Sequence, residues 1–133
     1  QEISGGRFIF GLGAGAAPGT SWAREHELLN IPLYDSARER HRHVAHVLDL
    51  CDAQWEPDRT DTWAGFPLPS PRPPILLGVN SVGLAEIAGA RCDAMNVALD
   101  HPRIEQFIEA AHAARAVSDL AGSPFEVNAW TAL

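Results

Sequence analysis

The chain has 133 residues, enough for one ordinary domain, and its 46% hydrophobic and 20% charged content is that of a folded globular protein. The net charge is −7 and the ten basic residues are all arginines, which disfavours a nucleic-acid or anionic-membrane surface and excludes Schiff-base chemistry on a lysine. Because Cys51 and Cys92 lack disulfide or zinc-ribbon spacing, and no membrane-span or signal-peptide pattern occurs, we expect a cytoplasmic protein.

Short apolar segments alternate with helical segments along the chain, in the order strand, helix, strand, helix, strand, helix, strand. The strands are predicted at 7–13, 73–79, 93–99 and 124–133, and the main helices at 36–55, 80–92 and 100–122. This alternation predicts a parallel sheet with right-handed crossovers.

Turn and cap residues predict where these elements begin and end. Small residues and breakers at 14–19 predict a loop, followed by a short helix at 21–30 with Thr20 or Ser21 as its cap. The segment 56–73 has five prolines and no periodicity, which predicts a long loop. Asp100 is predicted to cap the last helix, which should end near Gly122.

The first glycines raise the hypothesis of a dinucleotide-binding domain. Gly11, Gly13 and Ala16 satisfy G-x-G-x-x-A after a strand, and Asp35 lies about 20 residues further on, where a ribose-binding acid would lie. In a Rossmann fold the helix opens directly from the glycines, whereas here Ala17-Pro18-Gly19 follows. A nicotinamide-binding Rossmann domain therefore remains an alternative, as does a non-catalytic α/β fragment.

Three segments carry a resemblance to a known family. SGGRFIFGLGAG, EHELLNIPLYDSARERHRHVAHVLDLCDAQW and PPILLGVNSVGLAEIAGARCDAMN, in this order, resemble the luciferase-like monooxygenase family over essentially the whole chain. The chain looks most like the branch that uses coenzyme F420, although FMN users share the same segments. The resemblance implies a partial (β/α)8 TIM barrel over residues 1–133, corresponding to strands four to seven, whereas a complete barrel needs about 250 residues.

The resemblance also implies a function and a set of cofactor-binding residues. It implies part of a flavin- or deazaflavin-dependent oxidoreductase or monooxygenase that acts on a small organic molecule, with F420 or FMN as cofactor and no activity for these 133 residues alone. The cofactor-binding residues that it implies lie in two loops: Gly13, Ala14, Gly15 and Ala16 in the first, and Gly78, Val79, Asn80, Ser81, Gly83 and Leu84 in the second.

The chemistry of the two loops fits this role without deciding it. Glycine lets a backbone approach a ligand closely, although a tight turn needed only for packing has the same composition. Some flavin-using relatives have Arg where this chain has Ala14, so phosphate binding is weaker here or takes its positive partner from elsewhere. The second loop leads into a helix N-terminus that favours an anion, but Asn80 or Ser81 is equally an ordinary N-cap.

The histidines are interpreted as structural. His43 and His46 share a helix face with Asp49, whereas His41 points elsewhere, and a solvated outer face explains them better than a metal site. His101 follows the third strand and could approach a substrate, but we favour an ordinary helix start. No catalytic residue is assigned.

A half barrel would leave its first and last strands each without one neighbour. Both strands are largely apolar and uncharged, and such edges offer unpaired N–H and C=O groups. We therefore expect the chain to self-associate through its open edges or to be marginally stable.

Overall fold

Four parallel strands, each hydrogen-bonded to the next in chain order, form the centre of the fold. The computed structural model describes residues 1–59 and 65–131. The strands are β1 (Phe10–Leu12), β2 (Ile75–Val79), β3 (Ala94–Ala98) and β4 (Glu126–Trp130); the helices are α1 (Arg24–Leu28), α2 (Ala37–Trp55), α3 (Val82–Arg91) and α4 (Ile104–Ala116). The predicted alternation and parallel sheet are confirmed, and the open sheet has the form expected of part of a (β/α)8 barrel.

The outer strands are shorter than predicted. Residues 7–9 are exposed, and pairing with β2 begins only where the Phe10 amide donates to the Pro74 carbonyl at 2.8 Å. The residues before β1 instead bond to one another, as in the bond from the Gln1 side chain to the Phe8 carbonyl (3.2 Å). At the other edge β4 ends at Trp130, and the last two residues of the predicted strand lie outside the described residues.

Helix α4 begins later than predicted. Asp100 does not cap it; the turn before it is held by His101, whose Nδ1 accepts from the Arg103 amide at 3.1 Å, and the helix starts at Ile104. The helix ends at Ala116, and turns continue to Gly122. The prediction of an aspartate cap is therefore wrong, because the neighbouring histidine side chain holds this turn.

The starts of the other helices differ in whether a side chain caps them. Helix α2 has the capping box that a Ser at its start permits: Ser36 Oγ accepts from the Glu39 amide (3.1 Å), and the Glu39 carboxylate accepts from the Ser36 amide (3.2 Å). Thr20 lies at the N-cap position, as predicted, but its side chain makes no capping hydrogen bond, because the Thr20 hydroxyl donates back to the Ala17 carbonyl at 2.7 Å. A short 3₁₀ turn, Ser21–Ala23, therefore precedes the five-residue α1.

The proline-rich segment is a loop where it is described. Residues 56–59 and 65–73 contain neither helix nor strand, and the part of the predicted loop at 60–64 lies outside the described residues. Within the described ranges, no helix combines the length and the hydropathy needed to cross a bilayer.

The two faces of the sheet differ in chemistry. The helix-covered face holds the core, in which alternate strand residues such as Leu77 and Val97 are fully buried together with Leu48 of α2 and Phe107 of α4. The opposite face, called here the open face, carries the alternating residues between them. In register across β2, β3 and β4 these are Gly78, Asn96 and Asn128. The residues in the middle of the open face are therefore small or polar rather than apolar.

Two contacts fix α3 against its neighbours. A Cβ on Gly89 would lie 1.9 Å from the Ala111 carbonyl oxygen, so only glycine permits this approach of α3 to α4. The buried Arg115 guanidinium, from α4, donates to the Cys92 carbonyl (2.8 Å) after α3 and to the Pro124 carbonyl (2.6 Å) before β4. Together they hold the carboxyl end of α3 in place.

Substituting Gly89→Ala should destabilise the chain by up to about 2 kcal/mol. Overpacking of this kind typically costs about 1–3 kcal/mol, and the better helix propensity of alanine offsets about 1 kcal/mol of it. Denaturant unfolding measures the change. The matched control is Gly11→Ala, where nothing lies within 4 Å of the new methyl group. Equal stability of the two variants would contradict the close packing at Gly89.

Candidate functional site

A cavity of about 990 Å³ lies at the carboxyl ends of the strands. Its wall combines the loop after β1, the turn after β2, the start of α2, and side chains of β3 and β4. The lining residues are Ala14, Gly15, Ala16, Ala17, Thr20, Trp22, His26, Ala37, Arg40, His41, Asn80, Ser81, Leu84, Asn96 and Trp130. Ligand sites of parallel α/β folds lie at this end of the strands, and the volume suits a cofactor-sized ligand.

The loop after β1 gives the cavity a wall of small residues. Ala14, Ala16 and Ala17 are partly buried, and Gly15 has a φ of +76°, a conformation that favours glycine. A methyl group on Gly15 would meet nothing within 4 Å, so its need for glycine comes from the backbone and not from crowding. The backbone of this loop can therefore approach a ligand closely.

The turn after β2 leads into the amino end of α3. Ser81 is the N-cap of this helix, and its hydroxyl accepts from the Leu84 amide over a long 3.4 Å. The first N–H groups of a helix have no acceptor within the helix, and the helix dipole adds a partial positive charge there. This end of α3 offers hydrogen-bond donors to an anion in the cavity.

His41, from α2, lies over the same helix start. Its Nε2 is within hydrogen-bonding distance of Ser81 Oγ, at 3.2 Å. A Cβ on Gly83 would lie 2.9 Å from His41 Nδ1, so the missing side chain of Gly83 makes room for the ring. Burial of the ring, and secondarily the positive charge of Arg40, hold the pKa of His41 below its ordinary value, which favours a neutral imidazole.

Two further basic side chains line the cavity. Arg40 Nη1 donates to the carbonyls of Tyr34 (2.8 Å) and Asp35 (3.1 Å), which anchors the guanidinium at the cavity wall. His26 Nδ1 is buried without a hydrogen-bond partner in the described part of the chain. None of the described lining residues is acidic. The wall is therefore basic although the chain as a whole is acidic.

The residues predicted for cofactor binding are partly brought together. Six of them line the cavity: Ala14, Gly15, Ala16, Asn80, Ser81 and Leu84. The other four do not line it: Gly13, Gly78, Val79 and Gly83. Val79 is buried in the core, and Gly78 is on the open face, where a Cβ would lie 3.7 Å from the Leu12 carbonyl oxygen. Gly83 instead leaves room for the His41 ring, because it has no side chain.

The remaining histidines are outside the cavity wall. His43 Nδ1 is 3.3 Å from the Tyr34 hydroxyl on the exposed side of α2, and its ring is near that of His46. His101 holds the turn before α4, and its ring lies against that of Phe107 in a tilted arrangement, with ring centroids 4.7 Å apart. Among residues 1–59 and 65–131, no group of three or more His, Cys, Asp or Glu side chains is arranged to hold a metal ion.

Sequence reasoning missed the most basic part of the cavity. The helical spacing separates His41 from His43 and His46, but no role in a binding site was predicted for His41 from the sequence. Yet His41, Val44 and Leu48 follow the spacing i, i+3, i+7, which places the histidine on the buried stripe of α2. The position of Asn96 in the cavity wall was not predicted either, although a polar residue at the centre of a buried strand could have indicated it. Trp22, His26 and Trp130 carried no comparable signal.

Comparison with known proteins decides the family. The profile of the luciferase-like monooxygenase family matches residues 1–131. The chain belongs to the luciferase-like monooxygenase family. No curated protein shows significant similarity to it. The geometry agrees with this assignment over the Rossmann alternative, because a loop and not a helix follows Gly11 and Gly13, and Asp35 does not line the cavity.

Substituting Gly83→Ala should displace the His41 ring from the start of α3. The new methyl group would overlap the ring, and a side chain can move where a backbone cannot, so the fold should be retained. Once in solvent, His41 should titrate with a pKa closer to the ordinary value of about 6.5. Ring-proton NMR across pH measures this, with Gly11→Ala as the control. Unchanged titration of His41 would contradict the contact.

Proposed function

We propose that the chain supplies the phosphate-binding part of a cofactor site in a luciferase-like oxidoreductase, with coenzyme F420 as the cofactor and FMN as the alternative. The observation that carries the proposal is the convergence of the β1 loop and the amino end of α3 on one cavity. Both candidates join a redox-active ring to a phosphate-bearing chain. The bound cofactor would supply hydride transfer or oxygen activation to an organic substrate.

The residues of the cavity fit such a ligand. The N–H groups of the first turn of α3 are donors for a phosphate, and Ser81 and Asn80 add a hydroxyl and an amide at the same place. The small residues Ala14–Ala17 leave room for the ligand beside the sheet. Trp22 and Trp130 add aromatic surface to the same wall. We assign binding and orientation, not proton transfer, to these side chains.

The cellular location is part of the same proposal. Cys51 and Cys92 are both free, and Cys92 is fully buried. Burial raises the pKa of the Cys92 thiol to about 12, so it is an unreactive core residue. Two unpaired thiols support a reducing compartment, and the cytoplasm is the one that we propose.

Substituting Ser81→Asp should weaken binding of F420 or FMN about 10- to 100-fold. The new carboxylate would repel the phosphate and replace a donor, and hydrogen bonds to charged groups contribute about 1.5–3 kcal/mol. Cofactor fluorescence titration measures the change, in these 133 residues or in a longer protein that contains them. Riboflavin, which lacks the phosphate, should be insensitive.

Ser123→Asp is the matched control, because it adds the same charge at the amino ends of the strands. If Ser81→Asp binds both cofactors as the unmodified chain does, the phosphate assignment is wrong. Loss of binding in Gly11→Ala with no effect at Ser81 would instead support the Rossmann alternative.

We further propose that the chain alone self-associates and does not turn over substrate. All five residues of β4 are exposed, including Trp130 and Val127, and the exposed Phe8 and Ile9 precede β1 at the other edge. Four strands are half of a closed barrel, so the wall opposite the open face is absent from these residues. Sedimentation velocity should show species larger than 14.4 kDa whose proportion rises with concentration. A concentration-independent monomer, or cofactor turnover above a buffer control, would contradict this proposal.

A further inference from the structure

The cofactor site proposed above needs a positive partner for its anion, and the β1 loop does not supply one. This loop has Ala14 where a positive side chain could lie, and the rest of it is equally uncharged. Among the described residues of the cavity wall, Arg40 carries the only permanent charge, and His26 and His41 are the only titratable side chains. Basic groups on α1 and α2 therefore face a cavity that has no acidic counterpart among the described lining residues.

Arg40 is fixed in place but not neutralised. Both of its described hydrogen bonds run from Nη1 to backbone carbonyls, those of Tyr34 and Asp35, and not to a carboxylate. Asp35 itself contributes only its carbonyl to this contact. The guanidinium thus keeps its full positive charge at the cavity wall, in an orientation set by the turn that leads into α2.

His41 is seated where an anion at the start of α3 would lie. Its Nε2 is 3.2 Å from Ser81 Oγ, the same atom that accepts from the Leu84 amide. An anion bound to Ser81 and to the first turn of α3 would therefore be within reach of the imidazole. Without an anion, a proton on His41 is disfavoured by burial and by the charge of Arg40, which together lower the pKa of the ring. An anion between the two residues would cancel that repulsion.

We propose that Arg40 and His41 form the cationic side of the anion site, and that affinity for the anionic group of the ligand rises as pH falls. The inference rests on the proposed function, which it deepens by naming the positive partner and its pH dependence.

The sign of the pH dependence follows from the groups around the ring. Arg40 on α2 and His26 on α1 share the wall with His41, whereas the α3 start, the β1 loop, Asn96 and Trp130 contribute no charge. Protonated His41 attracts the anion and neutral His41 does not. Binding should be strongest below the pKa of the ligand-free ring and should weaken as pH rises through the higher pKa of the anion-bound ring.

Sulfate is the probe that isolates this effect. It stays doubly charged between about pH 5 and 8, whereas a phosphate monoester changes charge near about pH 6. Sulfate titrations followed by the His41 ring signals should show affinity falling about tenfold from about pH 5 to about pH 8. That change corresponds to a shift of about one unit in the pKa of the ring on binding.

Four variants separate the roles of the two residues. His41→Gln should abolish the pH dependence, with binding in this variant followed by backbone amide signals, and Gly83→Ala should reduce it by moving the ring without removing it. Arg40→Gln should weaken binding at every pH and leave the pH dependence in place. His43→Gln, on the exposed side of the same helix, is the matched control and should behave as the unmodified chain. The inference is overturned if His41→Gln keeps the full pH dependence, or if sulfate does not shift the His41 titration.

A parallel titration with FMN and F420 distinguishes this inference from the proposed function. If sulfate titrates His41 as expected but neither cofactor binds at any pH, the cofactor proposal fails and the anion site stands. If either cofactor binds in a way that Ser81→Asp weakens, yet with equal pH dependence in the unmodified chain and in His41→Gln, the cofactor proposal stands and the present inference is wrong.

Discussion

The close approach of α3 to α4 at Gly89 determines where the amino end of α3 lies. No side chain fits between the two helices at this point, since even a methyl group would meet the Ala111 carbonyl at 1.9 Å. Arg115 then ties the carboxyl end of α3 to the segment that enters β4. With one end of the helix held in this way, its amino end and Ser81 are directed to the cavity. Packing at one end of α3 thus sets the geometry of the site at the other.

Different elements contribute different chemical properties to the cavity wall. The loop after β1 contributes small residues and backbone, which leave space, while α3 contributes N–H donors, and α2 contributes positive charge. A positive side chain in the β1 loop would place the charge on the same element that supplies the small residues. Here the permanent charge at the described wall comes from Arg40 instead, and Gly83 is required because the ring of His41 occupies the place of its side chain. The glycine therefore leaves room for the histidine ring and does not itself line the cavity.

Much of the fold could be predicted from local sequence, because the signals are strong where apolar runs and caps coincide. The buried strand β2 and the long helix α2 are examples. The start of α4 was missed because several residues could hold that turn, and only the folded backbone shows that His101 does. The orientation of His41 depends on contact with Gly83 and with Ser81, which is 40 residues away in the chain. Such a pairing is set by tertiary packing, so neither composition nor motif could reveal it.

Binding of a phosphate-bearing redox cofactor at the amino end of α3 is the proposal on which the other roles depend. Hydrogen exchange with and without F420, and with FMN in parallel, tests it most directly at the level of single amides. We expect slower exchange at Ser81–Leu84 and Ala14–Ala17 when the cofactor is present, with no change around Asp35. Unchanged exchange at Ser81–Leu84, or protection confined to Gly11 and Asp35, would contradict it.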